Sequence, residues 1–134
     1  MHEQGFLDQP LNEFMLLKDR LWRALRVLID VDLHVNQVSE QALAKRLCET
    51  LGFSLSQAEA EIGWYTHAPT VPMSYALGWA MINALKDRQV QKADYNIRTF
   101  HDKLLASGSI SLARVIRRQF GGESLCEVMQ RVLT

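Results

Sequence analysis

The chain carries no excess of charge: fifteen Lys and Arg residues balance fifteen Asp and Glu. A formal net charge of zero gives no field to draw it to a phosphate backbone or an anionic membrane, so neither nucleic acid nor membrane is an expected partner. Cysteine is scarce. Cys48 and Cys126 lack a CxxC spacing, which excludes a disulfide scaffold and a paired-cysteine redox or metal motif and predicts buried or half-buried free thiols in a reducing compartment. Prolines number three, and with 48% hydrophobic residues the composition excludes a disordered chain. The first residues, Met1 to Gly5, contain neither a basic stretch nor an apolar run, so no secretory signal is expected and the location expected is cytoplasmic. The uncharged run from His67 to Lys86 holds two prolines and polar interruptions, which leaves it short of the roughly 20 apolar residues of a membrane span. Gly-rich phosphate loops, nucleophile elbows and HExxH are all missing.

What is present is helical periodicity from end to end. Between Asn12 and Val31, Phe14, Leu17, Leu21, Leu25 and Leu28 recur at helical intervals, and Met15, Trp22 and Ile29 form a second stripe beside them. Asp19/Arg23 and Arg26/Asp30 stand as i,i+4 pairs on the remaining face. So wide an apolar surface predicts a helix packed on more than one side, and Pro10 suits its first turn. Ser39 is placed to cap a second helix, with Val38 and Leu43 as a hydrophobic staple and Gly52 as its stop. Ser54 and Ser56 compete to cap a third, which runs to about His67 before Pro69 and Pro72 break the chain. A long helix is expected over about Met73 to Gln91, Asn96 caps another through Ala106, and helices near 112–120 and 125–133 flank Gly121-Gly122. No stretch alternates as a strand would. The almost wholly apolar run at 73–85 predicts burial on all sides, with Leu77, Trp79, Met81 and Leu85 in the core. The expectation is one all-α domain over residues 1–134, about seven helices packed around a long central helix at about 73–91.

Few residues point to chemistry by themselves. His2-Glu3 begins like HExxH, but Phe6 stands where the second histidine of a zinc site is needed. His34, His67 and His101 lie 33 and 34 residues apart, so only tertiary folding could gather them and no metal site is expected. His101 and Asp102 are neighbours on a helix and point about 100° apart, which favours bonds to a neighbouring helix over a catalytic pair. Arg114, Arg117 and Arg118 form the tight basic cluster, at a spacing that suits a solvated face.

Several short motifs carry a resemblance when taken together. Leu21-Trp-Arg-Ala-Leu-Arg26 is followed by Ile29-Asp30-x-x-Leu33-His34, then Glu61-Ile62-x-x-Tyr65, Pro69, Ser74-Tyr75-x-x-Gly78, Phe100-His101-Asp102 and Gly108. In this order they are similar to the carboxy-terminal region of the bacterial family known as domain of unknown function 885, over roughly residues 5–112. The resemblance implies the carboxy-terminal part of a helical, gluzincin-like zinc metallopeptidase whose HExxH half lies upstream, so zinc is expected only with an HExxH-bearing partner or upstream segment. It also marks His34, Tyr65 and Tyr75 as substrate-side candidates, since peptidases of this kind use a histidine or tyrosine to donate a hydrogen bond to the oxyanion. The plainer alternative is that both tyrosines are core residues with satisfied hydroxyls and that His34 caps a helix end or bonds a backbone carbonyl.

Three departures weigh on the chemical reading. Asp32 stands where the family usually has a glycine, Trp64 where it has an arginine, and Pro69-Thr70 where it has a proline-glycine turn. Loss of the arginine removes a fork-shaped donor suited to a substrate carboxylate. The sequence therefore favours a non-catalytic helical module that works by association, as a homodimer through its first helix or with a separate protein chain. The alternative is the substrate-binding half of a split or truncated zinc-dependent hydrolase.

Overall fold

The computed structural model describes residues 9–133, most of them in seven helices: α1 (Pro10–His34), α2 (Glu40–Leu51), α3 (Leu55–Thr66), α4 (Val71–Val90), α5 (Ile97–Leu105), α6 (Leu112–Phe120) and α7 (Gly122–Leu133). No strand occurs among the described residues, so the all-α class holds.

Local chemistry sets most helix ends. Pro10 takes the first helical position of α1, where its missing N–H leaves no bond unmade. Ser39 Oγ accepts the Ala42 N–H, Ser54 Oγ accepts the Gln57 N–H, and Asn96 Oδ1 accepts the Arg98 and Thr99 N–H groups. Ser54, not Ser56, is therefore the cap of α3. Gly52 closes α2 at φ 67°, in the left-handed region that a residue without Cβ enters freely. Pro72 sits inside the first turn of α4 rather than ahead of it, and α7 begins at Gly122, earlier than the leucine pattern predicts.

The chain divides into two compact units, residues 1–76 and 77–134, with the boundary inside α4. In the first, α2 and α3 pack closely and α1 lies against both. Its core joins Leu25 and Ile29 of α1 to Leu43 and Leu47 of α2 and Ile62 and Tyr65 of α3. Trp22 closes one edge by meeting Phe53 edge to face, centroids 5.2 Å apart. In the second unit, Leu85 of α4, Phe100 of α5, Ile116 of α6 and Val128 of α7 are buried together. Arg88 caps that unit's flank, donating to Ser124 Oγ at 3.2 Å and pairing with Glu127.

Helix α4 is not the buried hub expected from its composition. Tyr75 and Trp79 are more than half exposed, at 53% and 57%, and Val71, Ile82 and Val90 are exposed as well. Leu85 is fully buried and Met81 packs against it, whereas Leu77 is half-buried. The apolar side chains of α4 point all round the helix, and only its later turns carry a row, Met81, Ala84 and Leu85, that meets α5, α6 and α7 side chains.

Helix α1 departs in the same sense. Leu25 and Ile29 are buried, but Phe14, Leu17, Leu21 and Leu28 are exposed, so among the described residues of the first unit α1 is packed on one side only. Arg26 does not pair with Asp30 as its i,i+4 spacing implies; it reaches Glu61 of α3. Asp19 and Arg23 do pair, at 3.1 Å. Cys48 is half-buried against the core, whereas Cys126 is exposed, against expectation. His101 and Asp102 are both exposed, with the imidazole against the neighbouring Phe100 ring rather than bonded to another helix. Arg114, Arg117 and Arg118 are exposed as a solvated face requires.

Candidate functional site

Trp22, Arg26, Asp30 and His34 follow one another at intervals of four, so they form one row along α1. Helix α3 answers with Glu61 and Tyr65, again four apart, and the turn after α3 adds Thr70 while the first turns of α4 add Tyr75. All these residues belong to the first unit.

Arg26 is the centre of the group. Its Nε donates to Tyr65 Oη at 2.8 Å and its Nη2 to Glu61 Oε2 at 3.3 Å. Four rings surround its guanidinium carbon: Trp22 at 4.5 Å, Tyr65 at 5.3 Å, Tyr75 at 5.6 Å and Trp64 at 5.8 Å from their centroids. A weakly hydrated planar cation suits such an aromatic enclosure, where a compact ammonium would lose more hydration.

Tyr65 is fully buried, and its hydroxyl accepts from Arg26 Nε and from Trp22 Nε1, the latter at 3.2 Å. Those two bonds use both acceptor positions of the phenol. Burial, and then the Glu61 carboxylate, push the Tyr65 hydroxyl above its ordinary value, while Arg26 and Trp22 pull the other way.

His34 and Asp30 extend the group at its other end. His34 Nε2 lies 3.2 Å from the Tyr65 carbonyl oxygen and 3.4 Å from Asp30 Oδ1. Asp30 is 2% exposed; its Oδ1 accepts the Thr70 N–H at 3.2 Å, and its Oδ2 is buried without a protein partner. Beyond Asp30, Asp32 accepts from Arg46 of α2 and from Asn36, and the Arg46 hydrogen bond above all holds the Asp32 carboxyl below its ordinary range.

The fold thus brings His34, Tyr65 and Tyr75 into one cluster, although they lie far apart in sequence. Tyr65 is a core residue whose hydroxyl accepts two bonds and His34 Nε2 lies beside a backbone carbonyl, but Tyr75 is not the core residue that the plainer alternative expects. Tyr75, half exposed, forms an outer wall with Trp64. Sequence reasoning passed over Arg26, Glu61 and Trp22 as members of this group. The usable signal was the four-residue row on α1 facing a second four-residue pair on α3.

Among the described residues, no three His, Cys, Asp or Glu side chains are grouped so as to hold a metal ion. His2, Glu3 and Phe6 lie outside the described residues. No helix among the described residues is long and apolar enough to cross a membrane.

Comparison with known proteins gives one match. The family model described as a bacterial protein of unknown function (DUF885) covers residues 1–119, a longer span than the motifs alone mark out. The searches of curated proteins and of solved structures returned no match.

Proposed function

The chain belongs to the bacterial protein family of unknown function DUF885, and from that premise we propose that it is a non-catalytic helical module acting through protein–protein association at the outward face of α1. The observation that carries this reading is the exposed apolar stripe along α1. Phe14 is 59% and Leu28 60% exposed, with Leu17 and Leu21 between them also exposed. Soluble monomers rarely leave a continuous apolar surface of more than a few hundred Å² open to water. The reading includes a cytoplasmic location, which the two free cysteines support because a reducing compartment keeps thiols unpaired.

The alternative, the substrate-binding half of a split zinc-dependent hydrolase, draws its support from the convergence of His34, Tyr65 and Tyr75. It is weakened by the Tyr65 hydroxyl, which is buried and already accepts from both Arg26 and Trp22.

The test is sedimentation of the purified chain, alone and with a separate HExxH-bearing chain of the same family, for wild type and Leu28→Asp. The association reading expects complex formation that Leu28→Asp abolishes, with no peptide or ester hydrolysis by the chain alone. Complexes indifferent to Leu28→Asp would sink it. Hydrolysis by the mixture that falls with Tyr75→Phe would favour the alternative.

A further inference from the structure

Along α1, Phe14, Leu17, Leu21, Ala24, Leu28 and Val31 follow at alternating spacings of three and four, and each is exposed. The pattern continues to Val35, just past the helix end. Its period is 3.5 residues, the period at which two helices can wind left-handed about each other with one seam kept in contact. At about 100° per residue, the seam centres roughly 90° around α1 from the row of Leu25 and Ile29 that faces α2 and α3. Leu21 and Leu28 lie one turn either side of Leu25, so the seam borders the core face and carries the apolar surface of α1 on toward solvent.

We infer that a second copy of this chain covers the seam, lying antiparallel along it in an isologous two-stranded coiled coil. The inference rests on the association reading and names the partner. Three observations select the occupant and its direction.

The first is layer volume. In the antiparallel register Phe14 meets the partner's Val31, Leu17 meets the partner's Leu28, and Leu21 meets the partner's Ala24, with the same layers repeated by the two-fold axis. Phenylalanine faces valine and Leu21 faces alanine, while the layer between them pairs leucine with leucine. A parallel pair would instead stack alanine on alanine and phenylalanine on phenylalanine, leaving a void in one layer and crowding another.

The second is charge. The same register sets Glu13 beside the partner's His34 and Lys18 beside the partner's Asp32, so neither flank carries a like-charged pair.

The third is coverage. Leu11 and Met15 lie on the side of α1 that faces the core, but ahead of the point where α2 and α3 first reach it, near Trp22. Both are exposed, Leu11 at 69%. Reversal of one helix brings the partner's α2 and α3 alongside this bare half, whereas a parallel pair leaves it open. With half of each seam side chain still in water, roughly 500 Å² of apolar surface is available to the dimer. Since apolar atoms make up about 56–65% of an interface, the total is about 770–890 Å², short of the roughly 1,000 Å² of a stable specific contact and in keeping with a weak, reversible dimer. A dimer in the micromolar range is expected.

The experiment uses the whole chain with Cys48→Ala and Cys126→Ser, so that introduced thiols report alone. Sedimentation equilibrium over the micromolar range should give a reversible dimer, and Leu21→Asp should return it to monomer with unchanged circular dichroism. Oxidation of an equimolar mixture of Leu17→Cys and Leu28→Cys chains should give the mixed disulfide in excess over both self-linked products. A chain monomeric throughout, a dimer indifferent to Leu21→Asp, or self-linked products in excess would each overturn the inference. Should the chain stay monomeric yet bind an HExxH-bearing chain in a manner abolished by Leu28→Asp, the inference alone fails and the association reading stands.

Discussion

The buried carboxylate of Asp30 accepts the backbone N–H of Thr70 at 3.2 Å, and Thr70 is held at φ 68°. A β-branched residue in the left-handed region is strained by about 1–2 kcal/mol, and a hydrogen bond to a charged acceptor, worth about 1.5–3 kcal/mol, is enough to hold it there. Thr70→Gly should therefore stabilise the chain by roughly 1 kcal/mol, while Asp30→Ala, which leaves a turn N–H unpaired, should cost about 1–3 kcal/mol. Urea unfolding at constant m measures both. A Thr70→Gly midpoint at or below wild type would show that the turn is not strained. The family resemblance, with its proline-glycine turn at this place, expects the glycine that the backbone favours.

Tyr65→Phe tests whether the Arg26 group is structural. It removes the acceptor of the Arg26 and Trp22 donors, and should cost about 1–3 kcal/mol. Because the folded state raises the Tyr65 value above its ordinary 10.0, its share of stability is complete below pH 10 and lost as pH rises through the folded value. Alkaline melts should therefore fall less steeply for Tyr65→Phe. Equal slopes for the two proteins would remove this account.

Asp32 gives the opposite sign. Arg46 lowers its folded value below the ordinary 3.8, so the contribution is present above pH 3.8 and drains away as pH falls through the folded value. In melting experiments between neutral pH and about pH 3, Asp32→Asn should start less stable and lose less on acidification. An acid profile parallel to wild type would mean that the Arg46 contact contributes nothing.

The two ends of α4 should respond differently. Leu85 is fully buried, and Leu85→Ala should cost about 2–5 kcal/mol. Trp79 is 57% exposed, so Trp79→Ala should stay well below that. Thermal melts of the two variants check this. A Trp79 effect as large as that of Leu85 would mean that this ring is buried in solution.

What the sequence determined by itself was everything that operates within a turn or two of helix. Ser39, Asn96 and Gly52 each do locally what their types dictate, because a cap needs only N–H groups two or three residues away and a left-handed stop needs only a missing Cβ. Family membership was legible for a related reason, since motif order survives without knowledge of contacts. Tertiary structure decided the use of each surface. Helices α1 and α4 are apolar around most of their circumference, and nothing in their periodicity says which side meets a neighbour; that depended on the packing of α2 and α3 against Leu25 and Ile29, and of α5, α6 and α7 against Leu85. The same holds for charge. Arg26 had an acid four residues away, yet chose Glu61 across 35 residues of chain, because Tyr65, Trp22 and Tyr75 enclose its guanidinium only on that side.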